Sequence, residues 1–118
     1  MGTTSAAPCP TLAAGQGDAL DLLVNNAGLT WGAPIDEFPE KAWDRVMDLD
    51  VKSPFFLIQR LLPQLRAAAS AAQPAVVVNI SSVNALKPGG LQNYSYVAAK
   101  AGLGQLSVQL ARDLLADH

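Results

Sequence analysis

One histidine, at the last position, and one cysteine, Cys9, are all that this 118-residue sequence offers of the two most versatile catalytic side chains. A single terminal histidine leaves no cluster to ligate zinc and no base for a serine triad. Metallohydrolase and serine hydrolase chemistries are thereby set aside. A lone cysteine cannot close an internal disulfide, so a reducing, cytoplasmic compartment is the expectation. Basic charge is equally scarce. Eight Lys and Arg against ten Asp and Glu give a net charge of −2, which supplies no patch for phosphates and argues against a nucleic-acid partner. No apolar run is long enough to span a bilayer, so no membrane partner is expected either. What remains is a chain with 50% hydrophobic residues, enough for the core of one small domain rather than for disorder.

The most informative stretch is 76–100, VVVNISSVNALKPGGLQNYSYVAAK. Its first five residues are apolar and mostly β-branched, the pattern of a strand covered on both faces of a parallel sheet. Ser81 and Ser82 follow at the carboxyl end, where open α/β sheets bind ligands. Pro88, Gly89 and Gly90 punctuate a loop, after which the pattern turns helical. Tyr96 and Lys100, at i and i+4, then share one helix face. An ammonium beside a phenol favours the phenolate, which turns a tyrosine into a usable general acid or base; a nearby serine hydroxyl could hold a substrate oxygen against it. Taken singly, a Tyr–Lys pair is as well read as a solvated helix face and Ser-Ser as a turn. Their ordered combination is what points to a site.

A second apolar run, LDLLV at 20–24, reads as another parallel strand, and the NNAG of Asn25, Asn26, Ala27 and Gly28 follows at the same sheet edge. Gly28 suits a tight turn or a close approach to a ligand, and the asparagine amides can bridge neighbouring loops. From 39 to about 69 the spacing of Trp43, Val46, Met47, Phe55, Leu57, Ile58, Leu61, Leu62 and Leu65 is helical. Pro39 suits its first turn, whereas Pro54 and Pro63 should bend or interrupt it. Trp43 and the Leu/Phe stripe are expected to be core or partner-helix contacts. A last helix, from about 95 to 116, carries Ala99, Leu103, Leu106, Leu110 and Leu114 as one stripe. Gly102 and Gly104 weaken it by roughly 1 kcal/mol each relative to alanine, and suit close packing of helices.

The series NNAG, ISS, YSYVAAK resembles the short-chain dehydrogenase/reductase family, in order and in residue types, from about Leu20 to the C-terminus. The resemblance implies an NAD- or NADP-dependent oxidoreductase of a carbonyl or secondary alcohol substrate, similar to 3-oxoacyl reductases. It implies Tyr96 as the acid/base and Lys100 as the residue that favours its phenolate and binds the nicotinamide ribose. Ser82 would position the substrate oxygen; Ser81 is the alternative, because the loop to Tyr96 is about one residue longer than is common in the family. Asn25, Asn26, Ala27 and Gly28 would line the adenosine side of the cofactor site, with Tyr96 and Lys100 on its nicotinamide side. Asp50 occupies the place where the family usually has an asparagine that helps position the lysine. A charged aspartate could not donate. It is expected to pair with Lys100 or Lys52, to weaken the relay, or to be a solvated helix charge. Homodimerisation through the helices of 39–69 and 95–116 is implied in the same way.

The fold class expected is α/β, a partial Rossmann-type doubly wound parallel sheet in the order strand, helix, strand, helix. Residues 1–19 read as a flexible lead or a helix remnant, and 20–118 as the central and catalytic part of the domain. GQG at Gly15 to Gly17 precedes a strand instead of following one, so it is not a phosphate-cradling turn. The family's glycine-rich pyrophosphate turn and its substrate-covering segment have no counterpart here. The expectation is therefore a fragment of a longer enzyme, or a non-catalytic remnant that acts as a helix-mediated partner of a full-length relative.

Overall fold

The computed structural model describes residues 18–118; Cys9, Gly15 to Gly17 and most of the expected lead lie outside the described residues. The chain forms β1 (Leu22–Asn25), α1 (Glu40–Met47), a wide π-helical turn (Asp48–Lys52), α2 (Ser53–Ala68), β2 (Val76–Asn79) and α3 (Tyr94–Asp113). Short 3-10 turns stand at Ile35–Glu37, Val83–Ala85 and Leu115–Asp117. The order is strand, helix, strand, helix, as the periodicities indicate. β1 and β2 pair in parallel with Leu22 opposite Val76 and Asn25 opposite Asn79, a pairing that needs the crossover which α1 and α2 supply.

Helices pack on one face of this sheet. Ala42, Val46, Ile58, Leu61, Leu65, Ala99 and Leu103 are the buried apolar residues, and α2 and α3 both contact β2. The opposite face is open: Leu22, Val24, Val76 and Val78 are between 52% and 37% exposed. This corrects the expectation of a strand covered on both sides. A β-branched run reads alike whether one face or two are packed, and among the described residues no element lies over the second face.

The helical segment expected over 39–69, with Pro54 and Pro63 bending or interrupting it, is interrupted ahead of the first and not at the second. Pro39 lies just ahead of α1, at the N-cap, and not inside its first turn. Pro54 has no N–H with which to reach the carbonyl of residue 50. The backbone widens ahead of it, with the Ser53 N–H bonding five residues back to the Asp48 carbonyl, while the Ser53 hydroxyl donates to the same oxygen at 2.7 Å. Pro63, by contrast, sits inside an unbroken α2. It and Gln59, whose carbonyl loses its partner, are both exposed, so water can satisfy the freed oxygen.

Two further expectations separate at the helix surfaces. Gly102 does admit a neighbour, since a Cβ there would stand 3.6 Å from Val51, but nothing lies within 4 Å of a Cβ on Gly104. Trp43 is not core: it is 39% exposed and edge-on to Phe38, which meets Tyr94 in the same way with ring centroids 5.7 Å apart. None of the helices among the described residues is long and apolar enough to cross a membrane.

Leu103, 2% exposed, is the centre of this packing. Leu103→Ala should cost about 3 kcal/mol in urea denaturation, whereas Leu86→Ala, at a side chain 92% exposed, should change stability by less than about 0.5 kcal/mol. Equal effects would contradict the burial of α3 against the sheet.

Candidate active site

Parallel pairing brings the carboxyl ends of both strands to one edge, and the candidate residues converge there. NNAG leaves β1, Ser81 and Ser82 follow β2, α3 contributes Tyr96 and Lys100, and the wide turn between α1 and α2 contributes Asp50. Lys100 is only 5% exposed. Its ammonium donates to the Ile80 carbonyl at 2.9 Å and lies 5.6 Å from the centroid of the Tyr96 ring. The i, i+4 spacing thus places the cation and the phenol together at the sheet edge.

The two serines part company. Ser81 Oγ donates to the Lys100 carbonyl at 3.5 Å, a long contact that turns it toward the α3 backbone. Ser82 caps the following 3-10 turn, its Oγ accepting the Asn84 N–H at 3.2 Å. Acting there as an acceptor, the Ser82 hydroxyl keeps its proton uncommitted among the described residues. In the same loop a Cβ on Gly89 would come within 3.1 Å of Asn84 Oδ1, and Gly90 has φ +79°, which accounts for the glycine pair.

Of the NNAG run, Asn26, Ala27 and Gly28 are exposed at the edge, but the Asn25 amide is turned into the fold. It donates to Asn79 Oδ1 at 2.8 Å; Asn79 Nδ2 donates to Ser107 Oγ at 2.9 Å, and Ser107 Oγ to the Leu103 carbonyl at 2.7 Å. Asn79 and Ser107 are absent from the sequence reading. Their signal is that both apolar runs reach an asparagine, which parallel pairing sets side by side. Gly28 does not adopt a left-handed backbone. A Cβ there would lie 3.4 Å from both Asp50 Oδ1 and Lys100 Nζ, so residue 28 packs in contact distance of two ionisable groups.

Asp50 is fully buried, which removes the reading as a solvated helix charge. Its Oδ1 accepts the Leu29 N–H at 2.8 Å, and its Oδ2 is buried without a hydrogen-bond partner. Burial pushes the carboxyl above the ordinary carboxylate range, opposed by the Leu29 N–H and by the charge of Lys100. Lys52 is not its partner, lying 4.0 Å from Asp48 on the surface. A groove of about 610 Å³ beside Ile58, Val77, Ser107 and Leu110 is lined by none of Ser82, Tyr96, Lys100 or Asp50.

A parallel αβ unit that gathers polar side chains at the carboxyl ends of its strands has them where open α/β folds bind ligands. Residues 11–118 match the short chain dehydrogenase family, and the chain belongs to that family. It is 50% identical over 99 residues to the rhamnolipids biosynthesis 3-oxoacyl-(acyl-carrier-protein) reductase of Pseudomonas aeruginosa, covering 84% of this chain and 39% of that protein. To the 2-dehydro-3-deoxy-D-gluconate 5-dehydrogenase of Escherichia coli it is 39% identical over 84 residues, 71% of this chain and 32% of that one. Among solved structures, the Pseudomonas aeruginosa RhlG/NADP active-site complex superposes with a TM-score of 0.83 at 49% identity, over 86% of this chain and 40% of that one. NADH-dependent reductase A1-R' complexed with NAD gives 0.78 at 31% identity, over 85% and 42%. The chain therefore spans less than half the length of these relatives.

The asparagine chain yields a stability prediction. Asn79→Ala strands the buried Asn25 amide and should cost about 1–3 kcal/mol in urea denaturation, more than Ser107→Ala, which leaves the Asn25–Asn79 bond in place. Near-zero losses for both would mean that the chain of bonds does not brace the strand ends.

Proposed function

We propose that the chain carries the proton-transfer site of an NAD- or NADP-dependent oxidoreductase that moves a hydride between the nicotinamide and a carbonyl or secondary alcohol carbon. The single observation that carries this reading is the Lys100 ammonium, buried, anchored on the Ile80 carbonyl and 5.6 Å from the Tyr96 ring centroid.

In this reading Tyr96 gives a proton to the substrate oxygen during reduction and takes it back during oxidation. Lys100, with one N–H fixed by Ile80, has donors left for the nicotinamide ribose. Ser82, whose proton is uncommitted, holds the substrate oxygen near Tyr96; Ser81 is the weaker candidate because its hydroxyl faces the α3 backbone. Asn26, Ala27 and Gly28, exposed at the sheet edge, form the wall toward the adenosine. The bound nicotinamide supplies or accepts the hydride. Asp50 belongs to the same site through Leu29 and Lys100. A 3-oxoacyl thioester is the first substrate to assay, since the relative 50% identical to this chain is named for that activity. A cytoplasmic setting and pairing with a second copy through α2 and α3 complete the proposal.

Titration with NADPH and NADH, followed by nicotinamide fluorescence, should give saturable binding of one of them. Binding of neither at millimolar concentration would overturn catalysis by this chain and leave a helix-mediated interaction role. Tyr96→Phe should lower 3-oxoacyl reduction roughly a hundred- to ten-thousand-fold with nucleotide affinity nearly unchanged; retained turnover would remove Tyr96 as the acid/base.

A further inference from the structure

Large apolar side chains that stand almost free of the fold are few among the described residues, and they are not scattered. Of the five more than 70% exposed, Ile35, Val83, Leu86 and Leu91 lie in the two loops that leave the carboxyl ends of β1 and β2; the fifth, Leu115, lies beyond the end of α3. The two loops are tied to each other. The Ala33 N–H donates to the Gln92 carbonyl at 3.1 Å, and Phe38 meets Tyr94 edge to face. Trp31, two residues from the first tie, is itself 44% exposed.

Polar groups in the same loops are turned away. The Asn84 side chain lies against Gly89, where a Cβ would stand 3.1 Å from its Oδ1, and Asn93 is buried. Leu86 and Leu91 are left in water. The position of these residues is what gives them meaning. Val83 opens the turn that Ser82 caps, and Leu91 stands five residues ahead of Tyr96, so the apolar surface begins at the groups set around the reacting oxygen. Side chains on two short loops offer roughly a few hundred Å² of apolar surface, short of the roughly 1,000 Å² that a specific protein interface buries. One alkyl chain needs no more.

We infer that Ile35, Val83, Leu86 and Leu91, with Trp31, are specificity-determining residues: they form an apolar wall for an unbranched alkyl chain attached to the reacting carbonyl carbon. Such a wall selects long-chain 3-oxoacyl thioesters over short ones and over polyhydroxylated ketones, whose hydroxyls would lose water there without finding partners. The inference rests on the proposed function for the place of the carbonyl, but not for the existence of the wall.

Trp43→Phe leaves Trp31 as the one tryptophan of the chain, and its emission then reads binding without turnover. In that background the chain is titrated with N-acetylcysteamine thioesters from 3-oxobutanoyl to 3-oxodecanoyl. Trp31 emission should shift to the blue. Affinity should rise about twofold per methylene, as for a chain half covered by one wall, and so on the order of fiftyfold across the series. Leu86→Ser combined with Leu91→Ser, at side chains too exposed to support the fold, should cut that rise to about tenfold or less. Leu115→Ser, in the groove beside α3, should leave the rise in place. Equal affinities along the series, or an unmoved Trp31 emission, would overturn the inference. So would a rise lost in Leu115→Ser and kept in the Leu86 and Leu91 variant, which would put the chain in the groove. Each of these results, with NADPH or NADH still bound, leaves the oxidoreductase reading standing; failure of nucleotide binding with the rise intact would remove that reading alone.

Discussion

The bond from the Lys100 ammonium to the Ile80 carbonyl is the constraint on which the site depends. A lysine 5% exposed has given up most of its hydration, a loss that a hydrogen bond to a charged donor offsets by only about 1.5–3 kcal/mol. The rest must come from groups around it. The face of Tyr96 contributes on the order of 1 kcal/mol or more as a cation–π contact, and Asp50 contributes through its charge or its dipole. Because the acceptor is main chain at the end of β2, the bond fixes the first turns of α3 against the strand edge. The position of Tyr96 follows from this, since it lies one turn earlier on the same helix.

The Asn25, Asn79 and Ser107 chain answers a different requirement. Both strands end in residues whose side chains face the helix-covered side of the sheet, where an unpaired amide would be costly. Their mutual bond, continued to the Leu103 carbonyl through Ser107, satisfies them and ties the sheet edge to the middle of α3. The site is therefore held at two places on one helix. Lys100 fixes it at the edge and Ser107 fixes it about two turns further on.

What the sequence discloses of this arrangement follows from range. The i, i+4 relation of Tyr96 and Lys100, the glycine pair after Pro88, and the alternation of apolar runs with helical periodicity are local, and the structure places each of them where the spacing puts it. The Asn25–Asn79 bond joins residues 54 apart and exists only once the register of the strands is set. The open second face of the sheet is illegible for a different reason: Val76 and Val78 have the same β-branched character whether or not anything covers them. Asp50 was legible through the family resemblance as a partner for Lys100, but its burial was not, because an acidic residue in a helix is ordinarily solvated.

Its burial follows from the proline four residues beyond it. Ala42, Val46, Asp50, Pro54 and Ile58 are all buried, one every four residues. A step of four overshoots the 3.6-residue α-turn by about 40°, so a regular helix would carry such a series off its buried face well before its end. The wide turn at Asp48–Lys52 slows that rotation and holds the series in phase. Pro54 favours the widening because it cannot close the narrower bond to residue 50. A proline that reads as a break thus rotates an aspartate inward, to within reach of the Leu29 N–H and beside a buried lysine, and the ionisable pair at the centre of the site is a consequence of the backbone geometry at Asp48–Lys52.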